Sequence, residues 1–158
     1  MSLVKPTLES SIKNDVYLGT YSSSPAVCAQ NWTTAIVKYV STTTLVPGMS
    51  GYASAASTAL LAGLTASFNI SVAVDLEITF APVDVFFRAI KSAYASNAAG
   101  VITITAANVF GNYAFDGVDG MTSTAEVAQK VADNIHDTVK KFTWTNPSGT
   151  STVTWGTA

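Results

Sequence analysis

Charge is what this chain has least of: 11% of its residues are Asp, Glu, Lys or Arg, less than half the roughly 25% of an average soluble domain. Eight basic residues, with Arg88 the sole arginine, stand against ten acidic ones. No electropositive face for a phosphate backbone can be assembled from that set, which argues against nucleic acid as a partner. Cys28 is the only cysteine and His136 the only histidine, which excludes an internal disulfide and any cysteine-cluster metal site. Membrane-length hydrophobic runs are lacking too. The most apolar helical window, Tyr52 to Leu64, is broken by Ser54, Ser57, Thr58 and Gly63, well short of the roughly 20 apolar residues a span needs. Lys5 and Pro6 are followed by no apolar run, so no signal peptide is visible. No glycine-rich phosphate cradle, nucleophile elbow or zinc-binding helix motif occurs.

What remains is 48% hydrophobic, with much of the rest Ser and Thr. A chain of 158 residues is the size of one domain that buries roughly two thirds of its unfolded surface, so residues 1–158 are expected to form a single domain. Its exterior must be neutral and rich in hydroxyls. Such a surface is cheap to desolvate and suits a protein that lies against copies of itself or its neighbours; it also suits a stable secreted monomer.

From Phe68 to Phe80, Phe68, Ile70, Val72, Val74, Leu76, Ile78 and Phe80 alternate with polar or small residues. As a strand this buries an unbroken apolar stripe, and as a helix it scatters it. The pattern predicts a long strand at the centre of a small sheet, long enough to project beyond it. Residues 1–67 read as helical: Thr7 to about Tyr17 with Thr7 as N-cap, a helix opened by Ser24-Pro25 and running to about Tyr39, and a small-residue helix from Tyr52 to about Ser67, capped by Ser50. Alanine-rich helices allow close backbone approach, which suits the third to tight packing inside the domain or against another subunit.

Residues 68–107 read as strand, helix, strand. Pro82 opens the helix, Asp84 lies in its first turn, and Val83, Phe86, Phe87, Ile90 and Tyr94 form its stripe; Val101 to Thr105 is the second strand. Short joints are compatible with a parallel crossover, and an antiparallel placement is also open. Residues 108–158 read as a loop to Met121, a helix, and a hairpin. The helix has Ser123 and Glu126 at capping-box spacing, with Asp137 placed to pair with Lys141; the hairpin turns at Asn146-Pro147-Ser148-Gly149. The fold class is therefore α+β, with four to five helices on a small sheet.

Candidate chemistry is sparse. Asp75 and Glu77 share one side of the expected strand, roughly 6–7 Å apart, near the separation glycosidases use for an acid and a base; a solvated strand face explains them more simply. His136 lies beside a buried stripe, and its neighbours Asp133 and Asp137 read as the wet side of the helix rather than as catalytic partners. Cys28 sits among apolar residues as a small core member. Trp144 and Trp155 in the hairpin form an apolar patch for a partner if they face outward, and close the domain if they face inward.

The helix from Ala26 to Ile36 (Ala-Val-Cys-Ala-Gln-Asn-Trp-Thr-Thr-Ala-Ile) followed by Val46-Pro47, and the Ala125–His136 helix with Asn134-Ile-His136 leading into a Thr/Trp tail, resemble small virion proteins of tailed bacteriophages. The resemblance spans about half the chain. It implies a structural component of the particle, in tail, neck or capsid, located in the virion and partnered by copies of itself and other virion proteins, with no catalytic residues and no cofactor. Phe68, Ile70, Val72, Trp144 and Trp155 are the residues expected at an assembly interface. The alternatives are a small hydrolase using Asp75 and Glu77, and a carbohydrate or host-surface binding module using the two tryptophans.

Overall fold

The computed structural model describes residues 2–17, 24–69, 76–105, 117, 118 and 120–156, with residues 17 and 76–80 described by their backbone alone. Among these residues the fold is α+β. It comprises helices α1 (Lys5–Ser11), α2 (Pro25–Val40), α3 (Met49–Phe68), α4 (Leu76–Ser96) and α5 (Thr124–Val139), a π-helix Ile12–Tyr17, and strands β1 (Val101–Thr103), β2 (Thr143–Thr145) and β3 (Thr152–Thr154).

Two of the helix starts follow directly from their capping residues. Ser24 precedes Pro25, and its Oγ accepts from Val27 N at 3.3 Å. Ser123 caps α5 in the same way, accepting from Glu126 N at 3.5 Å. Elsewhere the starts move. Val4 rather than Thr7 precedes α1 and offers no side-chain cap. At α3 the cap is Gly48, held at φ 76, a left-handed conformation that glycine adopts without steric cost; Ser50 is already inside the helix.

The long strand is the main correction. Phe68 ends α3, and Leu76–Phe80 form the beginning of α4; residues 70–75, including Ile70, Val72 and Asp75, lie outside the described residues. The stripe Val83, Phe86, Phe87, Ile90 and Tyr94 is almost wholly withdrawn from solvent. It makes α4 a core helix, and the helix continues upstream through the alternating residues. Pro82 therefore stands inside α4 rather than at its start, where it removes the bond its N–H would make to the carbonyl of Ile78. Its ring lies against α3 at Gly63, where an added Cβ would stand 2.7 Å from Pro82 Cβ. Glycine there is what lets the two helices close on each other.

The sheet is small and antiparallel throughout, in the order β1-β2-β3, so the parallel crossover does not occur. Trp144 stands opposite both Ile102 and Val153, while Thr143 lies between Thr103 and Thr154 and Thr145 between Val101 and Thr152. Because side chains alternate, Ile102, Trp144 and Val153 face the core. Val101, Thr103, Thr143, Thr145, Thr152 and Thr154 form the outer face, and Thr145 and Thr152 join their hydroxyls at 2.8 Å. The turn between β2 and β3 is held by Asn146, whose Oδ1 accepts from Thr150 N and Ser151 N at 2.9 and 3.1 Å. Most of the loop read from Asn108 to Met121 lies outside the described residues.

One core joins these elements. Its densest part is aromatic: Phe87, Phe142 and Trp155 meet with ring centroids 5.4 to 6.0 Å apart. Tyr94 is buried in α4 against the Tyr52 ring, centroids 4.1 Å apart, and its hydroxyl donates to the carbonyl of Pro47 at 2.7 Å. Burial pushes the Tyr94 phenol well above its ordinary range, so it remains a neutral donor.

Candidate functional site

Of the residues expected at an interface, Phe68, Trp144 and Trp155 are described, and Ile70 and Val72 lie outside the described residues. Phe68 is half-buried against the core. Trp144 is half-buried too, and its indole N–H donates to the carbonyl of Ala99 at 3.0 Å. Trp155 has no solvent exposure, which removes it from any outward-facing aromatic patch: it closes the domain. Glu77 belongs to helix α4 rather than to a strand, and Asp75 lies outside the described residues.

Cys28 is half-buried against the core, as its apolar neighbours suggest. Asp84 lies deep inside α4 rather than in a first turn. It is buried, Oδ2 accepts from Arg88 Nε at 3.1 Å, and Oδ1 has no hydrogen-bond partner among the described residues. Asp137 pairs at 3.0 Å with Lys140 instead of Lys141, and that bond, with the charge behind it, holds its carboxyl below the usual range.

His136 has a partner that spacing alone does not reveal. The hydroxyl of Tyr39, ninety-seven positions away in the chain, lies 2.6 Å from its Nδ1. Tyr39 is fully buried, and its phenol is pushed far up, first by burial and then by the charge of Asp137. Tyr39 therefore keeps its proton and donates it, which makes His136 the neutral Nε2–H tautomer accepting at Nδ1. Burial, and then the ammonium groups of Lys140 and Lys5, lower the imidazole below its ordinary value against the opposing pull of Asp137 and Asp133. A base whose accepting nitrogen is occupied by a buried tyrosine is not presented to a substrate.

What the described surface does offer is neutrality. Helix α3 has no charged residue in its 20 positions, about 30 Å of helix at 1.5 Å per residue. Its exposed side consists of Ser50, Gly51, Ser54, Ala55, Thr58, Ala59, Ala62 and Ala66. Beside it, a recess of about 330 Å³ runs along the seam with α2, lined by Gln30, Thr33, Thr34, Val37, Lys38 and Ser57. The outer sheet face, five threonines and Val101, is equally uncharged. Among the described residues no group of His, Cys, Asp and Glu side chains could hold a metal, and no helix is long and apolar enough to cross a membrane.

Thr33 is the oddity of the seam. It is 4% exposed, and its hydroxyl has no hydrogen-bond partner among the described residues. A buried hydroxyl without a bond costs about 1–3 kcal/mol. Thr33→Val, which keeps the branched shape and removes the oxygen, is expected to leave stability unchanged or raise it by about 1 kcal/mol, read as the midpoint of urea denaturation at unchanged slope. A loss beyond about 1 kcal/mol would mean that the hydroxyl is bonded in solution.

Comparison with family models, with curated proteins and with solved structures finds no match to this chain.

Proposed function

We propose that this protein is a structural component of a tailed bacteriophage particle, located in the virion and acting by packing against copies of itself and other virion proteins, without catalysis. The observation that carries the reading is the pair of uncharged faces: the exposed side of α3 and the outer side of the sheet. Transferring a charged side chain into an interface costs far more than transferring a hydroxyl or a methyl group. In a symmetric contact, where a patch meets its own copy, like charges also oppose each other. A face of Ala, Gly, Ser and Thr avoids both penalties and lets backbones come close. The resemblance of the Ala26–Ile36 and Ala125–His136 helices to small virion proteins supports the particle as the setting.

The reading is tested by light scattering across a wide dilution series, on the wild-type chain and on Ala59→Glu and Thr152→Lys. Mass should grow with concentration in the wild type, and at least one charged variant should associate about tenfold more weakly, a difference of about 1.4 kcal/mol, with an unchanged circular dichroism spectrum. A strict monomer at every concentration, with wild type and variants indistinguishable, would count against packing between copies.

A further inference from the structure

The N-terminal segment is held at the place where Tyr39 meets His136. Leu3 N donates to the carbonyl of Trp155 at 3.0 Å. Val4 N donates to Thr42 Oγ1 at 2.9 Å, and that hydroxyl donates in turn to the carbonyl of Tyr39 at 2.6 Å. Lys5 Nζ reaches Asp133, one turn before His136 on α5, at 2.7 Å. Beyond these ties, α1 and the π-helix lie against both α2 and α5, with Leu8, Ile12 and Val16 buried.

The segment has little stability of its own. Helix α1 has seven residues and no side-chain cap, too few to hold without tertiary support. The π-helix after it is the rarest of the regular helical forms, usually found where structure is tied to function. The seat holds the segment, and the Tyr39–His136 bond joins the two walls of that seat.

We propose that residues Leu3 to Val16 form an acid-released strap, with the Tyr39–His136 hydrogen bond as its latch. Protonating Nδ1 replaces the acceptor with a donor. The Tyr39 proton then has no acceptor in a buried site, and the hydrogen bond between the walls is lost. The new imidazolium lies among Lys140, Lys5, Asp137 and Asp133, the charged groups around it. It is repelled by the two ammonium groups, and it competes with Lys5 for Asp133, which loosens the strap's own ion pair. Release of a short, weakly helical segment while the rest stays folded is an ordinary sub-global opening.

The linkage has a definite sign. The folded-state value of His136 lies below its unfolded value of 6.5, so the unfolded or opened chain binds the proton more tightly. The latch contributes in full above about pH 6.5, and its contribution is lost as pH falls from there through the folded value.

Hydrogen exchange of the full chain, followed by mass spectrometry from about pH 7.5 to about pH 5 and corrected for intrinsic rates, tests this across the range where histidine titrates. Peptides covering residues 3–16 should lose protection by about tenfold or more while those from α3 and α4 keep theirs. His136→Gln retains an acceptor for Tyr39 but takes up no proton, and should abolish the step. Lys140→Met removes a neighbouring cation, brings the folded value of His136 closer to the unfolded one, and should make the step smaller. The proposal fails if His136→Gln opens at the same pH as wild type, if α3 and α4 open together with the strap, or if the wild-type strap stays protected across the range.

Discussion

Trp155→Ala is expected to lower stability by about 3–5 kcal/mol, the usual cost of removing a large aromatic from a core. The indole has no exposure and touches Phe87 on α4 and Phe142 after α5, with centroids 6.0 and 5.4 Å away. The same residue joins the chain at three points. Its backbone carbonyl accepts from Leu3 N, its backbone N–H donates to the carbonyl of Phe142, and its ring is the lid of the aromatic cluster. For a domain of this length the loss corresponds to a fall in melting temperature of roughly 6–20 °C, measurable by calorimetry. Trp155→Phe separates ring from indole nitrogen. The N–H is buried with no partner among the described residues, so phenylalanine keeps much of the contact, discards an unsatisfied donor, and should cost under about 2 kcal/mol. Equal losses in the two variants would mean that the nitrogen is bonded in solution.

Gly100→Ala is expected to be as severe for a different reason. Gly100 joins α4 to β1 at φ 121, a backbone region that side chains rarely enter. A Cβ there would fall on the Trp144 indole nitrogen and the Thr145 carbonyl, the same indole whose N–H bonds to Ala99. Either β1 shifts out of register with β2 or Trp144 gives up its seat. Backbone strain and overpacking together cost about 3 kcal/mol or more. Guanidinium denaturation should show a lower midpoint, and Trp144 emission should shift before the global transition. An alanine variant within about 0.5 kcal/mol of wild type would show that the joint is not seated as described.

Elements governed by local chemistry were legible in the sequence. Ser24-Pro25 and Ser123 with Glu126 announce helix starts because a side-chain oxygen satisfies free backbone N–H groups a few residues on. Asn146 to Gly149 announces a hairpin for the same kind of reason. The stripe of α4 names its core residues correctly. What misled was the alternation from Phe68 to Phe80. Its described ends belong to two helices, and the cause is tertiary: Gly63 gives Pro82 a place against α3, which lets α4 extend upstream of a residue that would ordinarily open a helix. Period-two spacing cannot report that accommodation. Nor can spacing report that Tyr39 finds His136, that Thr33 turns a hydroxyl inward, or that Trp155 is the residue the core closes over. The neutral exterior was legible from composition, whereas its concentration on α3 and on the outer sheet face required the register of the strands.

The order of contacts along the chain also has a kinetic meaning. Helix α2 lies against α3 and α3 against α4, so these contacts join neighbours in sequence and form early. The sheet instead joins Val101–Thr103 to a strand at Thr143–Thr145, and Leu3 is bonded to Trp155 across almost the whole chain. Such distant closures pay their loop entropy first and form late. During synthesis the three helices can therefore assemble while Phe87 still lacks its lid. Trp155, which follows them in the chain, then covers the aromatic ring of Phe87.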